Sequence, residues 1–237
     1  FVMKNIFFFL IVSLAFVSCK KEEQEKPKVI YESKSQAKPQ VDTTKVVVAD
    51  LPVHMEGTNM LIFPVGDLNF NKKNSKSSYK YEGDVSYTIS NYGEYEITGY
   101  LDNLKFQEIG KDTIVSLTDK PVLIQSATYL KNHADKTKQQ LLVYILQDLD
   151  TNKDNKLDVD DIKSLYVSSI DGKNFTKLTS DFQELIDWKY IAVKNSLYFR
   201  TIEDTNKNGE FDKDDKTHYH LVDLLSKEWK AVEYNPI

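Results

Sequence analysis

Apolar residues after position 45 fall in short runs that are rich in β-branched and aromatic side chains, and polar turns separate these runs. Runs of this length and composition predict strands rather than helices. Long helical periodicity is absent, although residues 181–188 fit a short helix as well as an irregular strand. The predicted strands are Leu61–Val65, Val85–Ser90, Glu94–Tyr100, Thr113–Leu117, Val122–Tyr129, Gln140–Leu146, Leu165–Ile170, Phe175–Leu178, Lys189–Val193, Leu197–Glu203, His218–Asp223 and Trp229–Tyr234.

The C-terminal part of the chain contains a repeat with a period of 54 residues. Each unit predicts a strand, an acidic loop, a second strand, a tight turn and a third strand, and the shift aligns Phe175 with Trp229 and Leu178 with Val232. Repeated hairpins of this kind predict an all-β fold of short antiparallel strands. Two architectures remain open, which are a propeller with hairpin-based blades and a β-sandwich.

The two acidic loops, residues 150–161 and 204–215, place oxygen-bearing side chains at loop positions 1, 3, 5, 9 and 12. A twelve-residue loop with this spacing wraps a calcium ion, which prefers about six to eight oxygen ligands. Position 7 adds its backbone carbonyl. The candidate ligands are Asp150, Asn152, Asp154, Lys156, Asp158 and Asp161 in the first loop, and Asp204, Asn206, Asn208, Glu210, Asp212 and Asp215 in the second.

Position 6 of such a loop needs a tight turn with a positive φ. Gly209 adopts that conformation freely in the second loop, and Asn155 is among the residues that tolerate it best in the first. At position 8, Leu157 and Phe211 are expected to pack against the core. The alternative interpretation is that both segments are solvated acidic turns that hold no metal.

The first loop resembles an EF-hand calcium loop, and the second departs from that pattern at Phe211. Both loops end in Asp161 or Asp215, where an EF-hand usually has Glu, and in this they resemble the calcium loops of dockerins. The resemblance implies weaker calcium binding and a smaller preference over Mg²⁺, because Asp is shorter than Glu. Residues 165–179 resemble a blade of propellers such as that of TolB, which implies a propeller-like domain.

The N-terminal residues have the pattern of a secretory signal peptide. Lys4 precedes the apolar run Ile6–Val17, which is shorter than the ~20 residues of a membrane span, and Ser18 precedes Cys19. Cys19 is the only cysteine in the chain, so an intramolecular disulfide is excluded. The junction resembles a bacterial lipobox. The resemblance implies a signal peptide over 1–19, a lipid on Cys19 and attachment to a membrane through that lipid.

Residues 20–45 are rich in Lys, Glu, Gln, Ser and Pro, so we predict a disordered charged linker there and an all-β calcium-binding domain over 46–237. Residues 20–25 resemble the acidic export signal of surface lipoproteins in some Gram-negative bacteria. This implies an outer membrane lipoprotein at the cell surface, with the periplasm-facing side as the alternative. The whole arrangement resembles small bacterial lipoproteins whose all-β domain carries EF-hand-like loops, a resemblance that brings no known activity.

Other classes of function have less support in the sequence. A net charge of −5 without a basic cluster in the folded part argues against a nucleic-acid partner. His218 and His220 share one face of a predicted strand but have no third metal ligand to join them. Trp188 and Trp229 fit core positions better than sugar-stacking positions. We therefore predict a non-catalytic calcium-binding module, with a glycan- or peptide-binding lipoprotein as the alternative and a hydrolase as the least favoured hypothesis.

Overall fold

The structure is a computed structural model that describes residues 28–31, 45–68 and 87–237. The predicted signal peptide 1–19, including Cys19, lies outside the described residues, as do residues 20–27 and 32–44 of the predicted linker. Within the described ranges the fold is all-β, as predicted. Every strand pairing is antiparallel, and the strands form two sheets.

The larger sheet has ten strands, seven of which lie side by side in the order β1-β3-β5-β7-β8-β9-β10. Strand β2 pairs with β3, and both β4 and β6 pair with β5. A short helix, α1, spans Lys131–Thr137 between β7 and β8. The strands are β1 Val47–Ala49, β2 Val53–His54, β3 Met60–Asp67, β4 Ser90–Tyr92, β5 Glu96–Glu108, β6 Ile114–Ser116, β7 Leu123–Tyr129, β8 Leu141–Gln147, β9 Ser164–Ser169 and β10 Thr176–Lys177.

The smaller sheet has four strands in sequence order, from β11 to β14. Residues 181–188, which fit a helix or a strand by sequence, fall largely in β11. A register shift between Leu185 and Asp187 makes that strand irregular. The strands are β11 Gln183–Ile191, β12 Ser196–Glu203, β13 Lys216–Asp223 and β14 Val232–Glu233.

Strand β8 lies between two hydrophobic clusters because both of its faces are apolar. Leu142, Tyr144 and Leu146 point into a cluster on one face of the larger sheet. Leu141 and Val143 point into a second cluster that also contains residues of the smaller sheet, among them Leu197, Phe199 and Val222. The second cluster therefore packs the two sheets together, and the repeat units contribute to both sides of it.

The predicted repeat is present in the order of elements. The first unit is β8, an acidic loop, β9 and β10, and the second is β12, an acidic loop, β13 and β14. The match is imperfect in the last hairpin, because a shift of 54 residues would place β14 two residues earlier than its observed start at Val232. The two units also belong to different sheets. Phe175 packs on the first cluster, whereas its counterpart Trp229 packs on the second.

Candidate metal centres

Each acidic loop connects two adjacent antiparallel strands. The loop at 150–161 joins β8 to β9, and the loop at 204–215 joins β12 to β13. The last residue pair before the second loop is Glu203 with Lys216, so the hairpin encloses the twelve loop residues and nothing more. In the first hairpin the last pair is Leu146 with Ser164, which leaves additional residues on both sides of the loop.

The first half of the loop at 150–161 wraps around its own backbone amides. The Asp150 carboxylate, at position 1, accepts hydrogen bonds from the N–H groups of Asp154 (3.2 Å) and Asn155 (2.9 Å). The side-chain oxygen of Asn152, at position 3, accepts a bond from the same Asp154 N–H at 3.0 Å. Side-chain oxygens from positions 1 and 3 therefore converge on a single amide at position 5.

The same pattern continues through positions 5 and 9. Asp154 Oδ1 accepts a hydrogen bond from the N–H of Lys156 at 2.9 Å. Asp158 Oδ1 accepts one from the N–H of Asp160, also at 2.9 Å. Each acidic side chain thus fixes the backbone two residues further on, which is the geometry of an Asx-turn.

Asp161, at position 12, closes the first loop. Its Oδ1 accepts a hydrogen bond from the Thr151 N–H at 2.7 Å, and its Oδ2 accepts one from the Asp158 N–H at 3.0 Å. Asp161 has no exposed surface. Burial raises the pKa of its carboxyl group, even though the backbone hydrogen bonds act in the opposite direction. A buried carboxylate of this kind is stabilised by a cation.

The second loop reproduces this hydrogen-bond scheme position by position. Its residues differ at positions 5, 6, 7, 8 and 10; at position 5 Asn208 replaces an acid, and at position 6 Gly209 replaces Asn. The bonds are Asp204 Oδ1 with Asn208 N (3.2 Å), Asp204 Oδ2 with Gly209 N (2.7 Å), Asn206 Oδ1 with Asn208 N (2.9 Å), Asn208 Oδ1 with Glu210 N (2.8 Å), Asp212 Oδ1 with Asp214 N (2.8 Å), Asp215 Oδ1 with Thr205 N (3.0 Å) and Asp215 Oδ2 with Asp212 N (3.0 Å).

The backbone conformations of the two loops also agree. At position 6, Asn155 has a φ of 65° and Gly209 a φ of 87°, as the sequence predicts for a tight turn. Both loops have a second positive φ at position 4, which is 55° for Lys153 and 58° for Lys207. The position 8 side chains, in contrast, are half-buried and belong to neither core cluster, so the predicted anchoring into the core is wrong in that detail.

The ligand set is composed of oxygen donors, which suits a hard cation such as Ca²⁺. Among the described residues, no group of three or more His, Cys, Asp or Glu side chains is gathered closely enough to hold a metal ion. In the present conformation the acidic side chains are bonded to loop amides instead. The remaining oxygens of each predicted set come from Asn side chains and from the backbone carbonyls of Lys156 and Glu210.

No local sequence pattern predicts that a third segment of the chain contacts both loops. Residues Lys28–Tyr31, which we call the strap, lie against both of them. The N–H groups of Lys28 and Val29 donate to the carbonyl of Gly209 at 2.7 and 3.3 Å, and the Ile30 N–H donates to the carbonyl of Thr151 at 2.9 Å. The predicted linker is therefore ordered at these four residues. The signal in the sequence is the apolar triplet 29–31 in an otherwise polar stretch.

His218 and His220 lie on the same face of β13, as predicted, with ring centroids 6.1 Å apart. His218 Nδ1 bonds to Glu233 Oε1 at 2.9 Å, and His218 Nε2 bonds to Glu203 Oε2 at 2.8 Å. The hydrogen bond from His218 lowers the pKa of Glu233. Both ring nitrogens of His218 are thus engaged with carboxylates that link β13 to its two neighbouring strands, which is a structural role.

The two tryptophans pack against the core, as the sequence predicts. Trp188 and Trp229 are half-buried and pack against the second hydrophobic cluster, and the Trp229 indole N–H donates to the Leu224 carbonyl at 3.3 Å.

No helix in the described part of the chain is long and apolar enough to cross a membrane. Comparisons of the chain with protein-family models, curated proteins and solved structures find no match.

Proposed function

We propose that this protein is a lipid-anchored, extracytoplasmic β-domain that binds two calcium ions in its acidic loops and acts as a non-catalytic binding or structural module. One observation carries the proposal. Two loops in different sheets share the same side-chain-to-backbone hydrogen bonds and the same two positive φ angles, at positions 54 residues apart. Both loops thus present oxygen-bearing side chains at the same positions and in the same backbone conformation, as two sites for the same ion require.

The residues of the two acidic loops suit a structural role for calcium. In the first loop, oxygens of Asp150, Asn152, Asp154, Asp158 and Asp161 would hold the ion together with the Lys156 carbonyl. Bound calcium supplies positive charge that offsets the repulsion among these carboxylates. Because each loop connects two paired strands, that charge stabilises the hairpin as a whole.

The Asp residue at position 12 of each loop determines the calcium affinity that we expect. Asp reaches an ion with both oxygens less easily than Glu does, so we expect dissociation constants in the range of extracellular modules, ~10⁻⁴–10⁻³ M. At ~1 mM calcium, binding to the folded state alone then stabilises it by roughly 0.4–1.4 kcal/mol per site. The ions therefore reinforce a domain that already has its own hydrophobic core.

The lipid anchor and the cellular location are proposed from the sequence. Cys19 follows Ser18 at the end of an apolar run and is the only cysteine available for a lipid. The segment 20–25 supports export to the outer face of an outer membrane, and the opposite face of that membrane is the alternative.

Thermal unfolding with calcium and with EDTA tests the calcium role. We expect calcium to raise the melting temperature of the wild type, and Asp150→Ala or Asp204→Ala to reduce that increase, with the larger reduction in Asp150→Ala. Asp160→Ala and Asp214→Ala are matched controls, because they remove the same charge from position 11, which is not a ligand position. These controls should retain most of the increase.

Two results would count against the proposal. A melting temperature that is indifferent to calcium means that the loops are solvated acidic turns. Equal losses in the ligand variants and in the position 11 controls mean that calcium screens surface charge without occupying a site.

A further inference from the structure

The strap forms a direct physical connection between the two acidic loops. Its backbone bonds go to the Gly209 carbonyl at position 6 of the second loop and to the Thr151 carbonyl at position 2 of the first. These acceptors belong to loops that are more than 50 residues apart in sequence and lie in different sheets. A strap that bonds to both carbonyls at once requires both loops to hold their wrapped shape.

Thr151 connects the strap to a predicted ligand of the first loop. Its hydroxyl donates to the Lys28 carbonyl at 2.8 Å and accepts a bond from the Ile162 N–H at 3.1 Å. The same hydroxyl lies 3.2 Å from Oδ1 of Asp161, and the Thr151 N–H donates to that oxygen at 2.7 Å. A shift of Asp161 would therefore move the residue on which the strap rests.

The strap also reaches the second loop through Tyr31. The Tyr31 ring packs near Phe182, with ring centroids 6.0 Å apart, and Lys207 at position 4 lies 5.9 Å above it. The aromatic end of the strap is thus set against position 4 of the second loop.

Burial and charge hold the middle of the strap in place. Val29 is only 2% exposed. Lys28 Nζ lies 3.4 Å from Oε1 of Glu184, a carboxylate that also accepts a hydrogen bond from the Lys163 N–H at 2.9 Å. The contact is small, with four residues, so its stability depends on the position of every acceptor.

We propose that the strap docks on the wrapped form of both loops, which bound calcium favours, and that it thereby couples the two sites, so that calcium binds cooperatively. The inference rests on the proposed calcium function. Without ions, repulsion among the carboxylates of each loop favours open loop conformations, which separate the Gly209 and Thr151 carbonyls. An ion in one loop restores one half of the docking surface, and the second ion then gains the strap contacts as well.

Docking also sets the reach of the lipid anchor. Lys28 is nine positions after Cys19 in the chain, whereas Lys45 is 26 positions after it. At ~3.3–3.6 Å per residue, these lengths allow at most about 30 Å and about 90 Å of extended chain. Calcium would therefore hold the domain near the membrane, and its removal would let the domain move about three times further away.

Endoproteinase Lys-C reports whether the strap is docked in the full mature chain. Its cleavage after Lys28 requires the strap to leave the domain, and cleavage after Lys111, an exposed residue beyond β5, serves as the internal reference. We expect calcium to slow cleavage after Lys28 at least about tenfold relative to Lys111. Asp150→Ala and Asp204→Ala should each abolish most of this protection, whereas Asp160→Ala and Asp214→Ala should keep it.

A pair of identical substitutions tests the coupling. Val29→Asp places a charge at a buried strap position, and Val193→Asp places it in the 87% exposed turn between β11 and β12. We expect Val29→Asp to weaken calcium binding at both loops by about 5-fold or more and to leave the melting temperature in EDTA unchanged. Val193→Asp should change neither quantity.

The outcomes separate the two proposals. Calcium binding with cleavage after Lys28 that is equally slow in EDTA would overturn the strap inference alone. So would a loss of stability in Val29→Asp that is as large in EDTA as in calcium, because the strap would then be a permanent part of the core. If calcium neither binds nor raises the melting temperature, the proposed function fails and the strap inference fails with it.

Discussion

Single residues decide the shape of the acidic loops. Asn155 occupies a left-handed conformation that costs most L-residues about 1–2 kcal/mol, and its counterpart Gly209 occupies it without that cost. Asp161 is buried, and its carboxylate accepts hydrogen bonds from backbone N–H groups, with the Thr151 hydroxyl 3.2 Å from its Oδ1. Both residues are unfavourable on local grounds, and a cation bound in the loop would offset the burial of the Asp161 carboxylate.

The first prediction concerns Asn155. Asn155→Ala should lower the free energy of unfolding by about 1 kcal/mol, because alanine tolerates a φ of 65° poorly. Asn155→Gly should leave it nearly unchanged, since the relief of strain is offset by the entropy of glycine in the unfolded chain. Urea unfolding measures both values. Lys156→Ala, one residue further on at an ordinary φ, is the control, and an equal loss there would refute the conformational argument.

At the scale of elements, the two loop hairpins differ in how tightly the strands hold them. The second loop is enclosed directly by the pair Glu203 and Lys216, and it contains glycine at its turn. The first loop carries one more candidate carboxylate, Asp154, and its closing Asp161 is fully buried. Affinity in such loops rises with ligand charge and with rigidity. We expect charge and burial to prevail, so that the first loop binds calcium more tightly.

Helix α1 contributes a different link between the sheets. His133 has no exposed surface, and its ring bonds to the Tyr190 hydroxyl of β11 at 3.0 Å and to Gln139 Oε1 at 3.1 Å. Burial lowers the pKa of His133 from its usual 6.5. The folded protein therefore favours the neutral ring, and this contribution to stability is present above about pH 6.5.

The second prediction follows from the lowered pKa of His133. Stability should fall as the pH decreases from 7.5 through 6.5, because the unfolded chain takes up a proton that the folded His133 resists. His133→Gln should make this loss smaller but not remove it, since burial also lowers the pKa of His220. Urea unfolding in EDTA at pH 7.5 and 5.5 tests the effect. An unchanged slope in His133→Gln would exclude the assignment.

At the scale of the molecule, secondary structure could be predicted from local sequence patterns, whereas contacts between residues far apart in the chain could not. Residues rich in β-branched and aromatic side chains marked most strands correctly, whereas β1, β2 and the seven-residue helix α1 are too short to give a pattern. Strand β5 extends to Glu108, well beyond its predicted end, because β3 and β6 pair with its polar second half. The Thr151–Lys28 contact spans 123 residues, so no local pattern could reveal it.

The third prediction concerns the attachment of the whole molecule to a membrane. Cys19→Ala should shift the protein from the membrane fraction to the soluble fraction of its host cells, because the substitution removes the only thiol that a lipid could modify. Fractionation followed by immunoblotting measures the change. A conservative control is Ser18→Gly, which keeps a small residue before the cysteine. Membrane association of Cys19→Ala at the wild-type level would exclude the lipid anchor.

The central claim is that two loops with one hydrogen-bond scheme are two calcium sites, and titration of the full mature chain with calcium tests it most directly. Isothermal titration should give two ions per chain. Asp150→Ala and Asp204→Ala should each leave one, with the tighter site lost in Asp150→Ala, while Asp160→Ala should leave both. No saturable heat of binding up to ~10 mM calcium, or a stoichiometry that neither ligand variant changes, would contradict the account.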